Sequence, residues 1–343
     1  MPEPRFLIVR LSSMGDILHT LPAVSALRAS FPAARLDWLV DEKWRPLVAA
    51  VAGLDAVIPL KQSSWSHLRQ TCSELRRAHY SCAIDFQGLY KSALLARFSG
   101  APRRVGFGPS IVRERGATVF YTERVASPAT HVVDQYLALA EHFGARLPGR
   151  DVASMFPLRT SAQDEAYVTG ALAATGLREY FVLSPGGGWI SKCWPAERYG
   201  ELHRRLARRF GYGGVVSFGP GERALAESLR QAAGEPAPLL LEMDLPQLIA
   251  ALRRARLFIG GDSGPLHLAV ALGTPVVGIY GPTDPARNGP YFPDDIAIRN
   301  AGPADTTHRR GSTISPTMLS ISVDQVEDAV VRRMARVAAE KKQ

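Results

Sequence analysis

The sequence predicts an α/β protein built from two doubly wound parallel sheets, one in each half of the chain. Three observations lead there. Apolar runs at 6–9 and 180–184 open each half as central strands. Short apolar runs then alternate with helical stretches, the pattern of parallel strands joined by crossovers. Finally, residues 257–285, LFIGGDSGPLHLAVALGTPVVGIYGPTDP, read as strand, glycine turn, helix, strand and loop.

In the first half, Phe6-Leu7-Ile8-Val9 is a strand and Leu11-Ser12-Ser13-Met14-Gly15-Asp16 a loop. Residues 19–30 read as a helix, with Pro22 near its start, where a missing N–H is tolerated. Further strands fall at 36–40, 57–60 and 83–85, and helices at 89–98 and 131–143. Asp16 lies just past the first strand, at the edge that faces the ligand crevice of an open parallel sheet. A carboxylate there can take a proton from an attacking hydroxyl, or it can cap a helix. His19 is a ligand contact or a satisfied structural histidine. Lys91 meets an anion or faces solvent, and Gly88 allows a ligand near the backbone. Lys61, Arg69, Arg103, Arg104, Arg113 and Arg115, with Ser64 and Trp65, surround a phosphorylated acceptor or form a solvated basic face. The character changes after 144, and a domain boundary is expected near 160, giving a first domain over 1–160.

In the second domain, 161–322, a glycine-rich loop at 185–192 follows the strand at 180–184 and leads through Trp194 into a helix reaching about 210. Trp194 is expected to pack rather than stack on a base. Lys192 in that loop can neutralise a diphosphate. A strand and turn at 215–219 precede Glu222, which can accept from ribose hydroxyls or favour a helix start. A short strand at 239–241 and a helix at 245–254 follow. In the 257–285 stretch, Gly260 and Gly261 permit the turn, Ser263 suits an N-cap and Pro265 the first helical turn. Free N–H groups there seat a phosphate. Asp262 is an awkward neighbour for an anion and is expected to hold the turn or accept from ligand hydroxyls. Residues 286–321 read as irregular and polar, Arg309 and Arg310 among them. Ser322 and Gln325 have capping-box spacing before a helix in 323–343 expected to pack across the domain junction.

Composition narrows the partners. Apolar residues make up 46% and charged residues 21% of the 343, a globular balance. Lys plus Arg number 41 against 32 Asp plus Glu, a net charge of +9 that favours anionic partners. Three scattered cysteines, with no zinc or redox spacing, fit a reducing compartment. With no leader-like start and no apolar run long enough for a membrane span, residence is expected in the cytoplasm, with room for peripheral membrane contact.

The segments 11–22 (LSSMGDILHTLP), Ser191-Lys192-Cys193-Trp194-Pro195, 262–268 (DSGPLHL) and Gly281-Pro282-Thr283-Asp284-Pro285 together resemble glycosyltransferase family 9, the lipopolysaccharide heptosyltransferases. The resemblance spans nearly the whole chain and implies the GT-B architecture, two Rossmann-like domains facing across a cleft. It implies transfer of heptose from ADP-heptose, with inversion, to a Kdo sugar of lipid A, or to an acceptor already carrying a heptose. Carried over residue by residue, Asp16 is the base and Lys192 the diphosphate-binding lysine. Ser184, Gly187, Glu222, Asp262, Ser263, Gly264 and His267 line the donor site. Ser13, Gly15, His19, Lys61, Lys91, Arg103, Arg104 and Arg115 meet the acceptor. No metal, no cofactor, no nucleic acid and no obligatory protein partner are implied, and the acceptor lies on an anionic inner membrane surface. The glycine run 186–188 departs from the more polar loop of some relatives, and no cysteine follows 286. A noncatalytic nucleotide-sugar or glycan-binding protein is the alternative of another class. A dehydrogenase is disfavoured because LSSMGD replaces a Gly-x-Gly-x-x-Gly turn.

Overall fold

The structure, a computed structural model, describes residues 3–61, 65–307 and 311–340. The chain forms two compact units, Met1–Arg159 and Thr160–Gln343.

The first unit holds β1 (Arg5–Val9), β2 (Arg35–Asp41), β3 (Ala56–Leu60), β4 (Cys82–Asp85), β5 (Arg103–Phe107) and β6 (Glu123–Val125). They form one parallel sheet in the order β3-β2-β1-β4-β5-β6. The chain works outward from β1 to β3, then resumes at β4 on the other side of β1. The order therefore reverses between β1 and β4, the place where such sheets bind ligands at their carboxyl ends. Register sets Val9 between Leu39 and Asp85, so the loops leaving β1 and β4 start side by side. Leu7, Ile8, Val9, Leu39, Ala83 and Ile84 are buried, as strands covered on both faces require.

Two expectations change in this unit. The helix expected from 19 runs over Met14–Ser30, five residues earlier, because Ser13 and Asp16 cap it. Pro22 accordingly sits inside the helix rather than near its start. The unexpected β5 opens with Arg103 and Arg104, whose charge hid its strand character.

The second unit repeats the plan with β7 (Tyr180–Ser184), β8 (Gly213–Phe218), β9 (Leu239–Glu242), β10 (Leu257–Gly261), β11 (Val276–Tyr280) and β12 (Ile296–Arg299). The order is β12-β11-β10-β7-β8-β9, all parallel, and reverses between β7 and β10. One apolar core joins Phe181, Leu183, Val216, Ile259, Val277 and the helix Ala196–Phe210. Trp194 is buried in it, edge-on to Tyr199, and its indole N–H donates to the Ile321 carbonyl at 2.9 Å. It packs, as expected. The stretch 286–321 is less irregular than expected, since β12 lies within it. Arg309, Arg310 and Ser64 lie outside the described residues.

The last helix, Val323–Glu340, carries the expected capping box: Ser322 N donates to Gln325 Oε1 at 3.0 Å and Gln325 N to Ser322 Oγ at 3.2 Å. It is built into the second unit. Val326, Ala329 and Val330 enter that core, and Arg333 Nε bonds Asp295 Oδ1 at 2.9 Å. Among the described residues no helix is long and apolar enough to cross a membrane.

Candidate active site

In the first unit, the site grows from the loop after β1. Asp16, in the first turn of its helix, accepts at Oδ2 from Ser13 N (3.1 Å) and Ser13 Oγ (2.8 Å). Its Oδ1 meets Arg10 Nη2 at 2.8 Å, and its side chain remains 36% exposed. Asp16 is therefore a helix-capping group with its carboxylate still open to solvent. Burial of this loop by itself would raise the Asp16 pKa. Arg10, His19 and the Ser13 donors overcome that and bring it down to about 2.

The neighbouring loop after β4 is laced to this one. Arg10 Nη1 donates to the Phe86 carbonyl at 2.6 Å, and Leu11 N donates to Gln87 Oε1 at 2.8 Å. Asp85, fully buried, accepts from Gln87 N and Gly88 N at one oxygen and from Tyr121 OH (2.7 Å) at the other. Gly88 has φ +69°, and a Cβ there would lie 2.7 Å from Val112, so only glycine suits the turn.

The other expected acceptor contacts divide. Gly15 and His19 are buried in the same helix as Asp16. Lys61 follows β3 and is exposed; Lys91, beyond β4, pairs loosely with Asp41 at 3.6 Å. Arg115 is exposed in the turn Arg115–Phe120 beyond β5. Arg103 and Arg104 do not join them. They stand at the start of β5, the opposite edge of the sheet from Asp16. Arg103 forks onto Glu123 at 2.8 and 2.9 Å, and Arg104 holds the carbonyls of Phe120 and Ala101. Both are spent on closing the β5–β6 corner.

In the second unit, the site lies at the carboxyl ends of β7, β8 and β10. Asp262 follows β10 directly and is buried. Its Oδ2 meets Lys192 Nζ at 2.6 Å, and its Oδ1 meets His267 Nε2 at 3.2 Å and Asn288 Nδ2 at 3.0 Å. Burial would raise this carboxyl, but His267 and Lys192 together hold it well below the ordinary range. Lys192 also sits 4.3 Å over the Trp189 ring. The lysine, read as a diphosphate contact or a surface residue of a flexible loop, is shielded and has a protein counter-ion. An ammonium carries three N–H donors, so two remain for a ligand. A Cβ at Gly261 would lie 2.9 Å from the Lys192 carbonyl, so glycine lets the lysine's turn close on β10.

Ser184 ends β7, buried, with its carbonyl accepting from Tyr199 OH at 3.3 Å. A Cβ at Gly187 would lie 3.4 Å from Cys193 Sγ and 4.0 Å from Lys192 Cβ. Glu222 follows β8 and accepts from Gly219 N at 2.8 Å. Its carboxylate rests against Gly186, where a Cβ would lie 2.3 Å from Oε1. Ser263 stands at the N-cap of Gly264–Ala271 in extended conformation, yet its hydroxyl makes no capping bond. That shielded oxygen has no protein partner. The amides of a helix start, a lysine, a carboxylate and an unused hydroxyl thus share one edge, a setting for an anionic ligand with hydroxyl groups.

Sequence reading missed Arg10, Asn288 and the steric role of Gly186. A charge directly after an apolar strand was the available signal for Arg10. Asn288 had none, since its contact depends on how the loop after β11 folds back. Among the described residues no three His, Cys, Asp or Glu side chains are grouped to hold a metal ion.

Comparison with known proteins now assigns the family. The pattern of glycosyltransferase family 9 (heptosyltransferase) matches residues 68–317. The chain is 32% identical over 330 residues to lipopolysaccharide heptosyltransferase 1 of Pseudomonas aeruginosa, covering 91% of this chain and 88% of that one. A family 9 glycosyltransferase from Veillonella parvula superposes with a TM-score of 0.85 at 22% identity, over 98% of each chain. An Escherichia coli heptosyltransferase solved with ADP is 26% identical with a TM-score of 0.72, over 96% of this chain and 99% of that one. Two Rossmann-like units in one chain are the GT-B fold of these structures, and a noncatalytic binding protein is set aside. The chain belongs to glycosyltransferase family 9, the heptosyltransferases, and is an enzyme of glycosyl transfer.

Proposed function

We propose that the protein adds the first heptose of the lipopolysaccharide inner core, from ADP-heptose to a Kdo sugar of lipid A at the cytoplasmic face of the inner membrane. The observation that carries the reading is the Lys192–Asp262–His267–Asn288 cluster beside the bare helix start at Ser263. It supplies cation, amides and hydroxyl for a nucleoside diphosphate on the second unit. Glu222 accepts from the ribose hydroxyls. The likeness to a heptosyltransferase 1 over nine-tenths of the chain supports the first-heptose choice. The exposed Lys61, Lys91 and Arg115 suit an anionic, membrane-borne acceptor.

Asp16 takes the proton of the acceptor hydroxyl as its oxygen bonds to heptose C1. The C1–O bond to the diphosphate breaks on the opposite face, and ADP leaves with the electron pair. A carboxyl with a pKa of about 2 is a weak base for a free alcohol. It suffices here because C1 carries oxocarbenium character and the attacking oxygen becomes strongly acidic as its new bond forms. Proton transfer is then late, and Asp16 needs correct placement more than basicity. Lys192 and the amides at Ser263–Pro265 stabilise departing ADP without requiring a metal.

Transfer measured with ADP-heptose and Kdo-lipid A in anionic vesicles, against acceptor already bearing one heptose, checks this. Turnover of the first alone is expected; turnover of the second alone, or of neither, removes the assignment. A Gly186→Ala variant tests the donor half. Its Cβ displaces the Glu222 carboxylate, which costs about one charged hydrogen bond, so the KM for donor is expected to rise about tenfold with kcat little changed. An unchanged KM would take Glu222 out of the nucleotide site.

A further inference from the structure

We propose that Arg10 is a positioning residue for the transfer, holding Asp16 in the attitude that receives the proton by tying it to the loop after β4. This rests on Asp16 being the acceptor-side base. The Arg10 backbone is fixed first: its N–H donates to the Leu39 carbonyl at 3.3 Å, and its own carbonyl accepts from Trp38 Nε1 at 3.0 Å. Its side chain, 6% exposed, is then buried against the two loops it joins. One arm of the fork holds Asp16 Oδ1 at 2.8 Å, the other the Phe86 carbonyl at 2.6 Å, and the Tyr136 ring lies 5.5 Å from the guanidinium carbon. With Ser13 on Oδ2, the carboxylate is held on both oxygens, and its solvent side alone is open.

A merely structural role explains this poorly. Burying a guanidinium costs several kcal/mol, and an apolar residue of similar volume usually packs as well or better. What an apolar residue cannot do is keep Asp16 ionised in one rotamer. Arginine stays charged throughout the accessible range, so it favours the carboxylate form of Asp16 at every working pH. The titratable and charged groups around the pair are His19 on the same helix, His131 and Tyr136 on the helix flanking it, and Asp85 at the end of β4. Among them Arg10 exerts the strongest pull keeping Asp16 ionised.

The test is the kcat–pH profile of Arg10→Met and Arg10→Lys beside wild type. Wild type should lack an acid limb from Asp16 above pH about 4, since its pKa lies near 2. Without the cation, burial is opposed only by His19 and the Ser13 donors. Arg10→Met is then expected to lose about tenfold in kcat at neutral pH and to show its acid limb at higher pH than wild type. Arg10→Lys keeps the limb low while losing the Phe86 bond. A uniform fall in kcat with an unchanged profile overturns the proposal. Should Arg10→Met not fold, the Asp16 carboxyl titration followed by carbon-13 NMR in Arg10→Gln, whose amide can still reach the Phe86 carbonyl, and wild type decides; an unmoved titration overturns it. That readout needs no turnover. Absence of transfer by wild type would instead count against the assigned reaction.

Discussion

Replacing Asp16 by Asn is expected to lower kcat by about 10²–10⁴, the range for loss of a positioned general base. Affinity for ADP should be unchanged, because Asp16 belongs to the first unit and the nucleotide residues to the second. Asn is the informative replacement. Its amide oxygen can still accept from Ser13, so the helix start survives, while the negative charge opposite Arg10 is lost. If Asp16 served only as a cap, Asn would leave turnover near wild type. Steady-state kinetics with ADP binding by calorimetry separates the two. The linkage to stability has a definite sign. Asp16 sits below its ordinary pKa, so its contribution is fully present above pH about 4 and is lost as pH falls toward 2. The side chain is a third exposed, so solvent screens that contribution, and the fall in kcat at neutral pH is the decisive observation.

The sheets were legible where burial on both faces forces continuous apolar sequence. The two strands read within 257–285 are β10 and β11, and Gly260 and Gly261, read there as turn, serve as the end of β10. Edge strands were legible only where they kept an apolar run: β3 and β9 were read at 57–60 and 239–241, β6 and β12 were not. β6 is three residues long, and β12 has one neighbour, so neither must be wholly apolar. The helix start failed where a carboxylate caps: Ser12, Ser13, Gly15 and Asp16 resemble a loop in composition. The site showed the same division. Asp16, Lys192, Glu222 and Asp262 were identifiable because each follows a strand at the carboxyl edge. Their partners were not. Lys192 and Asp262 are 70 residues apart, and nothing local says that one neutralises the other. Arg103 and Arg104 were misplaced for a related reason. A strand's direction decides which edge its first residue occupies, and β5 itself had gone unread.

Lys192→Ala should lower kcat/KM by about 10²–10³, the scale for removing one preorganised charge stabiliser. It should also destabilise the second unit by about 3 kcal/mol, because it strips the counter-ion from a buried carboxylate. The second effect complicates the first, since an unstable variant loses activity for any reason. Asp262→Asn in the same chain resolves it. The neutral amide needs no cation and can still face His267 and Asn288, so the double variant should recover most of the melting temperature and none of the turnover. The pH dependence gives a further check. Asp262 is held below its ordinary range in the wild type, so its favourable contribution is present above pH about 4 and fades below. In Lys192→Ala, burial is opposed by fewer charges and the carboxyl titrates higher. The stability gap between the two proteins should therefore narrow as pH falls from about 7 to 4. Wild-type ADP affinity and rate in a destabilised Lys192→Ala would make Lys192 an internal counter-ion only. Lost ADP affinity in Lys192→Ala, measured at a temperature where that variant is still folded, is what a diphosphate contact from the ammonium requires.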